Sequence, residues 1–262
     1  MTGQSELLIE IRGNVLWLTV NRPASRNALS RATLAALGSA LAAHADHPLL
    51  KAAVVTGSGT QAFAAGGDLK ELGVVRTEEE AGSFFDESCD ALDQLRGFPV
   101  PTVAALNGTA LGGGAELAMA CDFRVASPDA TIGYIQARLA ISCGFGGGAD
   151  LVRLLGPGAA LAHGLRAEAL GAAEALSMGL VDRVVSQGMT LEEGVHQFLG
   201  AMLRHPVQVI RAYKAFATAH RTGQPPSVRR ALERECFVQT WVHADHWQAV
   251  EAVTRKMQEK AR

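Results

Sequence analysis

The chain has 262 residues, of which 48% are hydrophobic and 19% are charged, a composition typical of a globular protein with one substantial core. Its net charge of −2 gives no general electrostatic reason to bind nucleic acid or an anionic membrane. The sequence contains no bilayer-length apolar stretch, no leader-like start and no Cys-x-x-Cys pair. We therefore expect a cytoplasmic protein with reduced cysteines and no bound metal.

Strands and helices alternate in the first half of the chain. The β-branched runs at 7–11 and 15–20 flank Arg12-Gly13-Asn14 and predict a hairpin, and Ser30 is a suitable N-cap for a helix over 31–44. The next predicted elements are a strand at 52–56, a helix at 78–96, and strands at 102–106 and 123–126. This order predicts an α/β core whose parallel strands are joined by right-handed crossovers.

Helices predominate after Gly148. Apolar residues at helical spacing predict them at 150–155, 159–164, 172–178, 191–203, 206–220 and from 228 to the end.

Two glycine-bearing turns carry the candidate chemistry. The strand at 102–106 runs through Gly112-Gly113-Gly114 into a helix that contains Glu116, which leaves the N–H of Gly113 without a helical acceptor at a positive dipole end. The strand at 52–56 leads in the same way to Gly66-Gly67. Gly67 and Gly113 are therefore candidate donors to an oxyanion, and Glu116 lies within reach of them.

Both turns resemble those of the crotonase superfamily, the enoyl-CoA hydratase/isomerase family. The resemblance begins at Leu18-Thr19-Val20-Asn21-Arg22-Pro23 and extends to the stretch 173–182, Ala-Glu-Ala-Leu-Ser-Met-Gly-Leu-Val-Asp. It implies a spiral of ββα units over 1–200 and a helical C-terminal region over 201–262 that packs into a homotrimer or a dimer of trimers. Periodicity alone does not reveal the spiral.

The resemblance also implies the substrate and its site. A coenzyme A thioester would lie with its carbonyl between the N–H groups of Gly67 and Gly113, and Glu116 matches the family's first catalytic glutamate. No other cofactor is implied. The residues that the resemblance places near the coenzyme A part are Ala64, Ala65, Gly66, Asp68, Lys70 and Arg26, with Arg255 and Lys256 supplied by a neighbouring subunit. Each of these cations is alternatively a solvated surface charge.

Gln136 departs from the family pattern. It stands where hydratases of the family have a second glutamate, and a glutamine amide forms hydrogen bonds but moves no proton. With Tyr134 it is expected to shape the pocket, and the run from Tyr134 to Ile141 resembles the ethylmalonyl-CoA decarboxylase branch. Loss of carbon dioxide produces a thioester enolate without a base, so we favour decarboxylation of a 2-alkylmalonyl-CoA.

Two alternatives remain open. One is an isomerase or hydratase that uses the single carboxylate of Glu116. The other is a non-catalytic acyl-CoA-binding protein, because loss of a catalytic group is compatible with retention of the fold.

Overall fold

The computed structural model describes residues 5–260 and forms an α/β fold with two sheets. Its strands, in chain order, are β1 Leu7–Arg12, β2 Val15–Val20, β3 Ala52–Gly57, β4 Ala62–Ala64, β5 Thr102–Leu106, β6 Thr109–Leu111, β7 Phe123–Ala126, β8 Thr131–Gly133, β9 Leu170–Gly171 and β10 Arg183–Val184.

The larger sheet has the order β1-β2-β3-β5-β7-β10. β1 and β2 form the predicted antiparallel hairpin, and each later neighbour pairs in parallel. The predicted parallel core is therefore confirmed.

A smaller sheet of order β4-β6-β8-β9 was not predicted. β4, β6 and β8 pair in parallel, and β9 is antiparallel to β8. These strands contain only two or three residues, which is too short for an apolar period to be detected.

The helices, in chain order, are α1 Arg31–His44, α2 Leu69–Leu72, α3 Glu78–Arg96, α4 Gly113–Ala120, α5 Gly147–Leu155, α6 Pro157–Arg166, α7 Ala172–Ser177, α8 Leu191–Leu199, α9 Val207–Arg221, α10 Pro226–Trp241 and α11 Ala244–Lys260. Ser30 caps α1 as predicted, because its side chain accepts a hydrogen bond from the N–H of Thr33. No helix among the described residues is both long and apolar enough to cross a bilayer.

Two helical predictions in the second half need correction. The helix predicted at 191–203 ends at Leu199, and a 3₁₀ turn follows at Met202–Arg204. The helix predicted from residue 228 onward is two helices, α10 and α11. At this break the imidazole of His243 accepts a hydrogen bond from the N–H of Asp245, so it caps the start of α11.

The core lies on both faces of the larger sheet. Alternate residues of β2 show this arrangement: Leu16 and Leu18 belong to one buried cluster, and Val15 and Trp17 belong to the other, against α8. The first cluster also contains α4, so the glycine turn before α4 is anchored in the core. The first and last residues of the chain, which begin the predicted region 1–200 and end the predicted region 201–262, lie outside the described residues. The division into these two regions stays a prediction.

Candidate active site

The two glycine turns lie side by side. Leu29 donates its N–H to the carbonyl of Gly66 over 2.8 Å and accepts from the N–H of Asp68 over 3.0 Å, a parallel bridge that leaves the N–H of Gly67 outside the pairing. Gly113 is the first residue of α4, so its N–H has no intrahelical acceptor. A methyl group added to Gly66 would lie 4.0 Å from the nitrogen of Gly113. The turns thus bring two backbone donors into one region.

Glu116 is buried in the first turn of α4 and is 1% exposed. Its Oε1 accepts hydrogen bonds from the side chain of Gln136 at 2.8 Å and from the N–H of Gly144 at 3.2 Å. Its Oε2 accepts from the N–H groups of Phe145 at 2.9 Å and Gly147 at 2.8 Å. Each oxygen therefore has two donors, which fills its usual accepting capacity.

Burial raises the pKa of Glu116, because the charged carboxylate is removed from water. The four hydrogen bonds, led by those from Gly147 and Phe145, act in the opposite direction and do not cancel the effect of burial. A carboxyl group with a raised pKa is better matched to proton transfer near neutral pH than an ordinary one.

The start of α5 supplies one donor of the cradle of Glu116, by which we mean the four groups that donate hydrogen bonds to its carboxylate. Gly147 is the first residue of α5, so its N–H has no acceptor within the helix and donates to Glu116 instead, and the helix dipole also favours a negative charge there. The approach of α5 to Glu116 requires glycine, because a methyl group on Gly147 would lie 2.5 Å from Cγ and 2.9 Å from Oε2 of Glu116.

Gln136 lies against Glu116 and is 8% exposed. Its NH₂ group faces the carboxylate, since the opposite orientation would set two acceptors against each other. Gln136 therefore stabilises the charged form of Glu116 and orients one of its oxygens.

Tyr134 is buried beside the start of α5, and its predicted part in shaping the pocket stays a prediction. It is 2% exposed, and its hydroxyl donates to the carbonyl of Gly147 over 3.0 Å. Burial raises its pKa well above the ordinary value, so the phenol is neutral. In this structure Tyr134 supports the start of α5.

Phe145 is a site residue that the sequence analysis missed. Its ring covers both glycine turns: a methyl group on Gly113 would lie 2.7 Å from Cε2 of the ring, and one on Gly67 would lie 3.7 Å from its Cζ. The ring is 3% exposed and makes an edge-to-face contact with Phe84 of α3, with 5.8 Å between centroids. The sequence signal that could have indicated this packing is a large apolar residue between two glycines, Gly144 and Gly146.

A buried ionic network holds the segment that contains Phe145. Arg96 of α3 donates to the carbonyl of Phe145 at 3.3 Å and to Asp150 of α5 at 2.9 Å. Arg221, at the end of α9, donates to the other oxygen of Asp150 at 2.6 Å and to the carbonyl of Met119 at 3.0 Å. The network links α3, α4, α5 and α9 behind the carboxylate of Glu116.

The remaining predicted residues flank Gly66 and Gly67 in the chain. Ala64 ends β4 and is buried, and Ala65 donates its N–H to the carbonyl of Arg26 over 3.1 Å. Asp68 is engaged within the chain: it forms an ion pair with Arg22 at 2.7 Å and caps α2.

The predicted cations are exposed. Lys70 and Arg26 flank the first turn, whereas Arg255 and Lys256 lie on α11. Their contacts with coenzyme A stay predictions.

Comparisons with known proteins establish the family. The family model for enoyl-CoA hydratase/isomerase matches residues 10–260. The chain belongs to this family, within the crotonase superfamily. It is 35% identical to a crotonyl-CoA hydratase of Syntrophomonas wolfei over 87% of the chain and 86% of that protein. It is also 35% identical to a 2,3-dehydroadipyl-CoA hydratase of Escherichia coli over 96% of each.

Solved structures agree with the family assignment. The crystal structure of an enoyl-CoA hydratase from Bacillus anthracis matches 96% of each chain with a TM-score of 0.88 and 29% identity. The crotonase fold predicted from the two turns is therefore confirmed. Members of the enoyl-CoA hydratase/isomerase family act on acyl-CoA thioesters, and the decarboxylase branch is not distinguished by these matches.

Proposed function

We propose that the protein hydrates a 2-enoyl-CoA or isomerises a 3-enoyl-CoA, with Glu116 as its one proton-carrying residue. The observation that carries the proposal is a buried carboxylate with a raised pKa near two backbone N–H groups, that of Gly67 outside the bridge with Leu29 and that of Gly113 at the start of α4. The names of the two relatives support hydration. The alternative in the sequence analysis is thus better supported than the decarboxylation that we favoured there.

Hydration would use Glu116, one water molecule and the N–H groups of Gly67 and Gly113. The oxygen of water bonds to C3 of the enoyl group while Glu116 takes a proton from that water. Charge moves to the thioester oxygen, which the N–H groups of Gly67 and Gly113 hold as an enolate. Protonated Glu116 then returns the proton to C2, so the net change is addition of water. Each oxyanion donor is typically worth ~2.7–4 kcal/mol in such a transition state.

Substrate must change the hydrogen bonds of Glu116 before this step occurs. All four accepting positions are occupied, and the longest of the four bonds is the one from the N–H of Gly144 at 3.2 Å. Exchange of this donor for water or a substrate C–H would free Oε1 with the smallest loss. The structure is in this respect a resting state of the site.

Isomerisation needs the same residues and no water. Glu116 would take a proton from C2 of a 3-enoyl-CoA and return it to C4, while Gly67 and Gly113 again stabilise the enolate. A single carboxylate suffices for this shuttle, because removal and delivery of the proton occur in sequence.

Decarboxylation of a 2-alkylmalonyl-CoA is a second candidate because of one observation. Gln136 supplies an amide to Glu116 where a hydratase of the family has a second carboxylate. Loss of carbon dioxide breaks the bond between C2 and the carboxylate and leaves its electron pair in the enolate, which water protonates. This route needs the oxyanion donors and no general base.

The coenzyme A part is proposed to lie along the outer side of the first turn. Backbone groups of Ala64, Ala65 and Gly66 would surround the adenine, and Lys70 and Arg26 would lie near the phosphates. The exposure of Lys70 and Arg26 supports their role in this arrangement. In a homotrimer or a dimer of trimers, Arg255 and Lys256 of a neighbouring subunit would approach the 3′-phosphate.

Mass spectrometry separates these reactions. Wild type and Glu116→Ala are incubated separately with crotonyl-CoA, a 3-enoyl-CoA, methylmalonyl-CoA and ethylmalonyl-CoA. A gain of about 18 mass units from crotonyl-CoA, lost in Glu116→Ala, supports hydration. A loss of about 44 units from a malonyl thioester identifies decarboxylation instead. Conversion of the 3-enoyl-CoA to its 2-enoyl isomer, resolved by chromatography, identifies isomerisation. Binding without turnover of any thioester would favour a non-catalytic acyl-CoA-binding protein.

A further inference from the structure

The ring of Phe145 occupies the space over the two oxyanion donors. Methyl groups added to Gly113 and Gly67 would lie 2.7 and 3.7 Å from atoms of this ring. Leu72 borders the same space, since its Cδ1 would lie 3.0 Å from a methyl group on Gly67. With 3% of Phe145 exposed, the side chain fills this region in the resting site.

An acyl group bound for reaction must pass beside this ring. Its thioester oxygen would be held by Gly67 and Gly113, and its C2 and C3 atoms would reach Glu116. The backbone N–H of Phe145 is itself 2.9 Å from Oε2 of Glu116. The first carbons of the acyl chain and the ring of Phe145 therefore compete for one volume.

Two hydrogen bonds hold the backbone of Phe145. Its N–H is bonded to Glu116, and its carbonyl accepts from Arg96 at 3.3 Å. The ring contacts Phe84, which is half-buried on α3 and is preceded by the exposed residues 78–83. Rotation of the ring about its side-chain bonds would create room without breaking either backbone bond, whereas a bulky or long acyl group would require the backbone to move.

We propose that Phe145 determines acyl-chain specificity by restricting the pocket to short acyl groups that rotation of its ring can accommodate. The inference rests on the proposed acyl-CoA function and adds the substrate class. Replacement of Phe145 by alanine removes the ring and leaves both backbone hydrogen bonds available. This change should therefore enlarge the pocket and retain Glu116 in place.

Binding of saturated thioesters tests the inference separately from turnover. Titration calorimetry measures Kd for butyryl-CoA, octanoyl-CoA and free coenzyme A with wild type and Phe145→Ala. Wild type is expected to bind butyryl-CoA more tightly than octanoyl-CoA. The ratio of the two Kd values should shift by about tenfold or more towards octanoyl-CoA in Phe145→Ala, because the added carbons gain a pocket.

Phe198→Ala is the matched control. Phe198 makes an edge-to-face contact with Phe123 at 5.2 Å between centroids, and this pair lies in the cluster on the other face of the larger sheet. Its loss removes an aromatic ring without touching the glycine turns. The ratio of Kd values should stay at the wild-type value.

Two results would overturn the inference in different ways. An unchanged ratio in folded Phe145→Ala, with normal affinity for butyryl-CoA, would refute the role of Phe145 and leave the proposed function standing. Failure of wild type to bind any of the three ligands would refute the acyl-CoA function and the inference together. If Phe145→Ala does not fold, Phe145→Leu should show a smaller shift in the same direction, and no shift refutes the role.

Discussion

Gln136 donates its side-chain amide to Oε1 of Glu116 over 2.8 Å. The carboxylate that we propose as catalytic thus has an amide partner where hydratases of the family have a second carboxylate. The pair has a single titrating group, so two like charges do not share the site. The pH dependence of turnover should accordingly follow the ionisation of Glu116 alone.

Replacement of Gln136 by alanine should move the acid limb of the pH–rate profile to higher pH. Burial already raises the pKa of Glu116, and Gln136 lowers it by a hydrogen bond to the charged form. Removal of that donor raises the pKa further, so a base that must be ionised becomes active only at higher pH. The profile of kcat/KM is the measurement. Gln197→Ala, which removes an exposed bond to Arg183, is the control and should leave the limb in place.

Replacement of Gln136 by glutamate should increase hydration of crotonyl-CoA. A second carboxyl group supplies the missing proton-transfer partner, and such groups are typically worth ~10²–10⁴ in rate. Initial rates at several pH values measure the effect. A rate that falls at every pH would show that the amide of Gln136 contributes to turnover in its own right.

Gly147→Ala and Gly148→Ala form a neighbouring pair with opposite expected outcomes. A methyl group at Gly147 would lie 2.5 Å from Cγ of Glu116, whereas one at Gly148 would lie 3.6 Å from Sγ of Cys143, an ordinary contact. We expect Gly147→Ala to lower both Tm and kcat, since α5 must move away from the carboxylate. Gly148→Ala should be neutral or stabilise by up to ~1 kcal/mol. Thermal unfolding and turnover of both variants are the measurements, and equal behaviour would contradict the close packing.

Asp150→Ala should destabilise the fold by about 3 kcal/mol, because it leaves Arg96 and Arg221 without their shared buried partner. Glu192→Ala removes an exposed ion pair with Arg12 and should cost less than about 1 kcal/mol. Urea unfolding measures both changes. A cost for Asp150→Ala as small as that of the control would mean that solvent reaches the two guanidinium groups.

Elements with a clear period or cap were predictable from the sequence. β5 and α1 have their predicted bounds, and the side chain of Ser30 makes the expected cap. The glycine turns and Glu116 were found because strand, turn and helix succeed one another along the chain. Local sequence carries these signals.

The cradle of Glu116 was not predictable in the same way. Three of its four donors are backbone groups in residues 144–147, a segment with no apolar period, and their direction is set by distant packing. Phe145 is held by Arg96 from α3, which is 49 residues earlier in the chain. The side-chain amide of Gln136 was expected near the pocket, but its bond to Glu116 depends on the same tertiary arrangement.

The bond between Arg221 and Asp150 joins the last turn of α9 to the first turn of α5. Proteolytic cleavage in the loop before α9 would therefore remove the contact between Arg221 and α5, although the cleaved bond lies far from Glu116 in the sequence. A preparation that has lost its C-terminal helices would retain Glu116, Gln136 and both glycine turns, yet Asp150 would lack the counter-charge of Arg221. Such material should lose turnover while the strands and the helices before α9 keep their secondary structure, so intact mass is a sensible quality criterion for every assay of this protein.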